Sequence, residues 1–267
     1  MGHSLFYPFL CARRHRTVLK GFVAKEIFGR YAGSYAGVLW IVLEPLANIV
    51  VFSFLFSYVF RVRLDAAVSG TESFTLYFLC GYFPWLIFSD AVVRSAGSVV
   101  GNAGLVTKVI FPVELLPISS VLTAFLTHGA GFSLFLIYLL GKGYAGLSWL
   151  HLPLIVFVHF MFCCGMAFLV SALVVFVRDV LQSLGLLMMV WFYATPVLYP
   201  LSLVPEPVRN WLWANPMTFT LACFRDSLLT GSFHWPIFFV CVIHALVLYG
   251  FGSWFFMRSK RAFADVL

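Results

Sequence analysis

The residues able to do chemistry in this chain are few and widely separated. Glu44 lies several residues inside an apolar run, with Pro45 beside it and Asn48 one turn on. A carboxylate at that depth is costly and normally faces protein or water. It can pair with a basic residue at the inner mouth of a pathway, or serve as a satisfied carboxylate in the first turn of a kinked helix. Asp90 and Arg94 are four residues apart, the spacing of a local ion pair on one helix face. His151 and His159 are eight apart with no carboxylate near them in sequence, so no metal role is expected. The six cysteines, at 11, 80, 163, 164, 223 and 241, have apolar neighbours and form no CxxC pair. Free buried cysteine behaves as a small hydrophobe, so neither a disulfide framework nor a metal site is expected. No GxxxxGK[ST] loop occurs to cradle ATP, and DxD, HExxH and GxSxG are all missing. Ten acidic residues leave an intramembrane hydrolase or glycosyltransferase little to work with. Charges inside the spans are also too few for a proton or sodium relay. A pathway without its own energy source calls for an external motor.

The elements that must position these residues are apolar helices. The 267 residues are 62% hydrophobic and 10% charged, against about 25% charged in a soluble domain. This is the composition of an all-α integral membrane protein. Thirty-one Phe and eight Trp fit lipid-facing rings and interfacial belts. The formal charge of +7 collects near membrane ends, with no aromatic-interleaved basic stripe, so nucleic acid is not an expected partner. The apolar start Leu5–Cys11 is short and precedes the basic cluster Arg13, Arg14 and Arg16. That order is the reverse of a cleaved signal peptide, and the first span is expected to act as an uncleaved anchor.

Leu19, Val23, Ile27 and Tyr31 recur every four residues, predicting an amphipathic helix at the membrane interface over 17–32. A basic flank that merely sets topology would carry similar charges. Spans are expected at about 36–60, 74–94 (kinked at Pro84), 115–140, 150–177, 180–199 and 236–257. The GKGYAGLSW turn makes the third and fourth an antiparallel hairpin. Residues 97–114 are too polar to span and too apolar to float, which suits a short helix facing a partner protein or a plain connector. The stretch 178–231 breaks at Thr195-Pro196 and Tyr199-Pro200, yet still carries Trp211, Leu212, Trp213, Phe219, Leu221 and Phe224. Neither half reaches the roughly 20 residues of a span. Asn215-Pro216 divides it, so two short re-entrant helices are expected over 205–229, buried in protein or lining a cavity. With both ends inside, twelve Lys and Arg fall on inner segments and five on outer ones, out of the seventeen present. The positive-inside rule then places both termini in the cytoplasm and 200–232 outside. No internal repeat or linker divides the chain, so it reads as one domain, 1–267.

RYAGSYAGVLWIVLEPL at 30–46, NAGLVTKVIFPVELLPISSVL at 102–122 and RDVLQSLGLLMMVWFYATPVLYPLSLVP at 178–205 resemble one family, as does FRDSLLTG at 224–231 after the Asn-Pro break. That family is the type-2 ABC permeases that export O-antigen, teichoic acid or capsule. The resemblance implies a homodimer joined to two copies of a separate ATPase, which would bind the ATP and magnesium; the chain itself would hold no cofactor. It implies an interface helix at 17–32 and a coupling element at 97–112, with Asn102, Lys108 and Pro112 in it and Arg178-Asp179 as a second contact. It implies a channel lined by the first and fifth spans, and an outer gate at 205–229 with Trp211, Trp213, Asn215 and Pro216. Sugar rings stack their CH faces on aromatics, so Phe52, Phe56, Tyr58, Trp191, Tyr193 and Tyr199 are the channel-lining candidates. Lys25 and Arg30, with Glu44 beside them, could attract the diphosphate of a polyprenyl-linked glycan, or membrane lipid headgroups, at the inner surface. The implied location is the bacterial inner membrane. Three other readings fit parts of the sequence: an exporter of drugs or small glycolipids, a membrane enzyme acting on polyprenyl-linked sugars, and a purely structural assembly partner.

Overall fold

A computed structural model describes residues 7–109 and 111–267. Leu5 and Phe6 of the apolar start, and Ile110 of the expected coupling element, lie outside the described residues. Helices α1 (Tyr7–Arg14) and α2 (Arg16–Arg30) come first. The four-residue spacing read from the sequence is the inward face of α2: Leu19, Val23 and Tyr31 are buried while Lys20 and Lys25 are exposed. The chain then enters the first span, Gly37–Val59, built from a 3₁₀ turn, α3 (Trp40–Ser53) and a π turn at Phe54–Val59. A one-turn helix, α4 (Ala66–Ser69), leads to α5 (Phe74–Ser98), which runs through Pro84. After α6 (Ala103–Lys108) come α7 (Leu115–Gly141) and α8 (Leu152–Phe176), the expected hairpin.

The expected fifth span differs from the sequence reading. It is α9 (Asp179–Tyr193), of 15 residues, about 22 Å at 1.5 Å per residue against a hydrocarbon core of about 30 Å. Pro196 steers the preceding Thr195 away from helical backbone, and the Thr195 hydroxyl turns back to donate to the Trp191 carbonyl at 2.7 Å. Among the described residues, five helical stretches are therefore long and apolar enough to cross a bilayer, with this shorter apolar helix where a sixth was expected. Beyond it lie α10 (Glu206–Trp213) and α11 (Pro216–Arg225), the two short helices anticipated around Asn215-Pro216. Then α12 (Trp235–Ser259) and α13 (Phe263–Val266) complete the chain.

Helices α5, α7, α8 and α12 form the packed centre. Glycines set the tightest approaches. A Cβ at Gly252 on α12 would overlap the carbonyl of Gly165 on α8, and one at Gly165 would lie 2.5 Å from the Tyr249 nitrogen. Small residues let membrane helices touch backbone to backbone in this way. The first span also approaches α7 closely, where a Cβ on Gly131 would overlap the ring of Pro45. All six cysteines are buried and free. Cys223 and Cys241, eighteen residues apart, bring their sulfurs to 3.5 Å between α11 and α12.

Candidate functional site

Two helices are left uncovered on one chain. In the first span no residue of the most apolar window is buried, whereas 72% of the corresponding window of α5 is. Helix α9 buries only Leu184 and Met188 and exposes Leu186, Leu187, Met189 and Val190. The aromatic candidates on these helices divide into two groups. Tyr58 and Tyr193 are well exposed, and Tyr199 is partly exposed with its hydroxyl donating to the Tyr193 carbonyl at 3.0 Å. Phe52 and Phe56 turn inward onto α5, with Phe52 4.6 Å from Phe78 and Phe56 4.6 Å from Phe74 between ring centroids. Trp191 also turns inward, 5.0 Å edge-on to Phe88, and its indole N–H donates to Asn215 Oδ1 at 3.0 Å.

At the end of the bundle that carries α1 and α13, α2 is tied to three neighbouring elements. Lys25 Nζ donates to Asn102 Oδ1 at 3.5 Å, and the Asn102 amide donates to the Ser98 carbonyl at 2.8 Å. Glu26 accepts from the hydroxyls of Ser119 and Ser120 at 3.1 and 3.0 Å. Arg30 Nη2 lies 3.7 Å from Glu44 Oε2, so Glu44 has the basic partner that its position calls for. A cavity of about 290 Å³ separates α2 from the α5–α6 turn, with Phe22, Gly29 and Gly101 in its walls. Lys108, Arg178 and Asp179 are exposed, and Pro112 is half-buried. Buried Glu114 accepts from Lys260 at 3.1 Å, anchoring the C-terminal turn beside α6. Next to it, burial and then the Glu114 carboxylate push the Cys11 thiol up to about 11.

At the opposite end the chain leaves α9 through a broken backbone, and two side chains satisfy it. Asn215 caps α11 by accepting from the Met217 N–H at 3.0 Å, and its amide donates to the Ala194 carbonyl at 3.1 Å and to Thr195 Oγ1 at 2.8 Å. Arg225 donates to the carbonyls of Pro196 and Val197 at 2.8 and 3.1 Å and to that of Tyr77 at 3.3 Å. Its guanidinium lies 3.7 Å from the centre of the Tyr77 ring. Trp211 stands 80% exposed, and Trp213 packs on Phe219 at 5.0 Å. Pro216 forms the first turn of α11.

The model of the ABC-2 type transporter family matches residues 17–229. The chain belongs to that family. The match runs from α2 to the turn after α11, so it includes both uncovered helices of this ABC-2 membrane domain. The chain is 31% identical over 257 residues to an O-antigen export system permease protein of Myxococcus xanthus, covering 93% of this chain and 95% of the relative. It is 28% identical to one of Klebsiella pneumoniae, covering 91% and 92%. It is 22% identical to a polysialic acid transport protein of Escherichia coli, covering 81% and 83%.

Sequence reasoning missed two contacts in this ABC-2 domain. Arg225, in the segment expected outside, is buried. Its signal was the Thr195-Pro196 break, which leaves carbonyls in need of a donor at membrane depth. The Asp90–Arg94 pair forms at 2.7 Å as expected, and His128 on α7 joins it at 3.1 Å; nothing in the spacing announces that contact. His151 and His159 do not converge: His151 stacks on Phe233 at 4.1 Å, and His159 sits 3.1 Å from the Pro84 carbonyl. Among the described residues, no three His, Cys, Asp or Glu side chains gather as metal ligands.

Proposed function

We propose that this chain is the membrane subunit of an ATP-driven exporter that moves a polyprenyl-diphosphate-linked polysaccharide, O-antigen first among the candidates, across the bacterial inner membrane. The observation that carries the reading is the pair of uncovered helices, the first span and α9, on a chain similar over nine-tenths of its length to O-antigen export permeases. In this reading two copies face each other across those helices and enclose the pathway. Tyr58, Tyr193 and Tyr199 present ring faces to the sugar. Phe52, Phe56 and Trp191 hold those helices in register from behind.

Two ATPase subunits seat on the end that carries both termini, which is then cytoplasmic. There the α5–α6 turn, with Asn102, Lys108 and Pro112, and the exposed Arg178-Asp179 offer the contact. A push on that turn reaches the first span through α2, because Lys25 and Arg30 lie little more than one turn apart and hold Asn102 and Glu44 respectively. Lys25 and Arg30 also face the approaching diphosphate. Trp211, Trp213, Asn215 and Pro216 form the outer mouth. In this reading ATP and magnesium belong to the partner.

Depleting the protein and locating the glycan tests this. Lipid-linked polysaccharide accumulating inside spheroplasts, protected from external glycosidase, is the expected result. Normal surface glycan would refute long-glycan export in favour of a small amphiphile as cargo.

A further inference from the structure

Helix α2 uses one flank for the ties to Asn102, Ser119, Ser120 and Glu44. Its other flank and α7 enclose a groove of about 440 Å³ whose lining is almost wholly apolar. This is within the size range of ligand pockets, roughly 300–1,000 Å³. Val23 and Phe28 from α2, with Leu122 and Leu126 from α7, form its walls, and Phe28 and Leu126 are 63% and 56% exposed. Leu126 stands eleven residues into the span, about 16 Å along the helix, so the groove reaches into hydrocarbon. Arg16 and Lys20 also line it, four residues and thus one turn apart on α2. Among the described residues neither makes a salt bridge or a side-chain hydrogen bond. The groove is walled by neither the first span nor α9.

We infer that this groove is a binding site for a diacyl anionic phospholipid from the bilayer, with an acyl chain between α2 and α7 and the phosphate between Arg16 and Lys20. An apolar slot that opens at the interface beneath two uncommitted cations matches that amphiphile at both ends. A zwitterionic lipid would satisfy the slot but carry no net charge to the cations. The bound lipid would set the seat of α2, the helix that also holds the α5–α6 turn.

The test is native mass spectrometry of the intact transporter, this chain with its ATPase, in a mild detergent, with phosphatidylglycerol, phosphatidylcholine or a polyprenyl phosphate added. The wild type is expected to retain phosphatidylglycerol and lose phosphatidylcholine. Each basic residue near an anionic headgroup carries roughly a fivefold effect, so Arg16→Gln with Lys20→Gln should weaken retention roughly 30-fold. Leu122→Trp, which fills the groove and leaves both cations, should abolish retention. Exchanging the cations, Arg16→Lys with Lys20→Arg, should preserve it, and this separates loss of charge from loss of fold. Unchanged phosphatidylglycerol retention in the double Gln and Leu122→Trp variants would overturn the inference. Displacement of phosphatidylglycerol by equimolar polyprenyl phosphate would overturn it in favour of the cargo lipid. Dissociation of the ATPase with lipid retention unchanged would overturn it in favour of a protein-docking groove.

Discussion

Replacing Arg225 with Met keeps the length and apolar character of the stem and removes every donor. In the native protein Arg225 reaches three backbone carbonyls from three directions, at 2.8, 3.1 and 3.3 Å. Two of them, Pro196 and Val197, belong to the irregular backbone that follows α9. Each carbonyl left buried without a donor costs about 1–3 kcal/mol. Recovering the desolvation cost of a buried cation offsets part of the total. The two shorter bonds dominate, so a net loss of about 3 kcal/mol follows for Arg225→Met. At roughly 2–4 °C per kcal/mol for chains of this size, the melting midpoint falls by about 10 °C. Arg225→Lys retains charge but reaches with one head instead of a planar fork, and should lie between the two. Gly81→Ala reports on the same feature from the other side, because its Cβ would sit 2.7 Å from Arg225 Nη2. Thermal unfolding of the purified protein in detergent reads all three. A midpoint for Arg225→Met within a degree or two of wild type would refute the claim that Arg225 holds the broken backbone in place. A Lys variant as stable as wild type would show that the fork geometry is irrelevant.

Two further outcomes follow from the packing and the charges. Gly165→Ala puts a methyl 2.5 Å from the Tyr249 nitrogen and forces α8 and α12 apart, at a cost of about 1–3 kcal/mol. Gly129→Ala, which meets nothing within 4 Å, should be neutral or gain up to about 1 kcal/mol from helix propensity, and the same melting assay distinguishes them. Cys11 should resist maleimide at pH 7 to 9 in the folded protein and react as pH approaches about 11, because its thiol is held up there by burial and by Glu114. Since the folded value lies above the ordinary 9.0, the thiol contributes stability that is intact below pH 9 and lost as pH rises to about 11. Mass-spectrometric labelling against pH checks this, and Glu114→Gln should move the onset downward.

What was legible in the sequence is what repeats along a helix or interrupts one. The four-residue stripe of α2, the antiparallel hairpin at Gly141–Trp149 and the two short helices around Asn215-Pro216 all follow from spacing, Gly and Pro. The Arg30–Glu44 pair was legible in kind, since a carboxylate inside an apolar run needs a partner. The contacts that order the site are between residues far apart in the chain, and they leave no local mark. Glu26 reads as a surface charge until Ser119 and Ser120 arrive from α7. Trp191 reads as a channel ring, yet its indole is satisfied by Asn215, 24 residues later. Arg225 carries no local mark of its role, and only the geometry reveals the three carbonyls it serves. The length of α9 was overestimated because apolar composition continues past the residue where Pro196 ends the helix.

The contact between Gly165 and Gly252 bears on how freely such a chain can diverge. Lipid is an undiscriminating solvent: along α12, Ile243, Val247, Phe251 and Trp254 all face outward, and any large apolar side chain would serve there. Where two backbones touch, the requirement is an absence of volume, which one residue type alone meets. A sequence constrained at a handful of tight contacts and polar ties, and loosely elsewhere, can retain its architecture while most letters change.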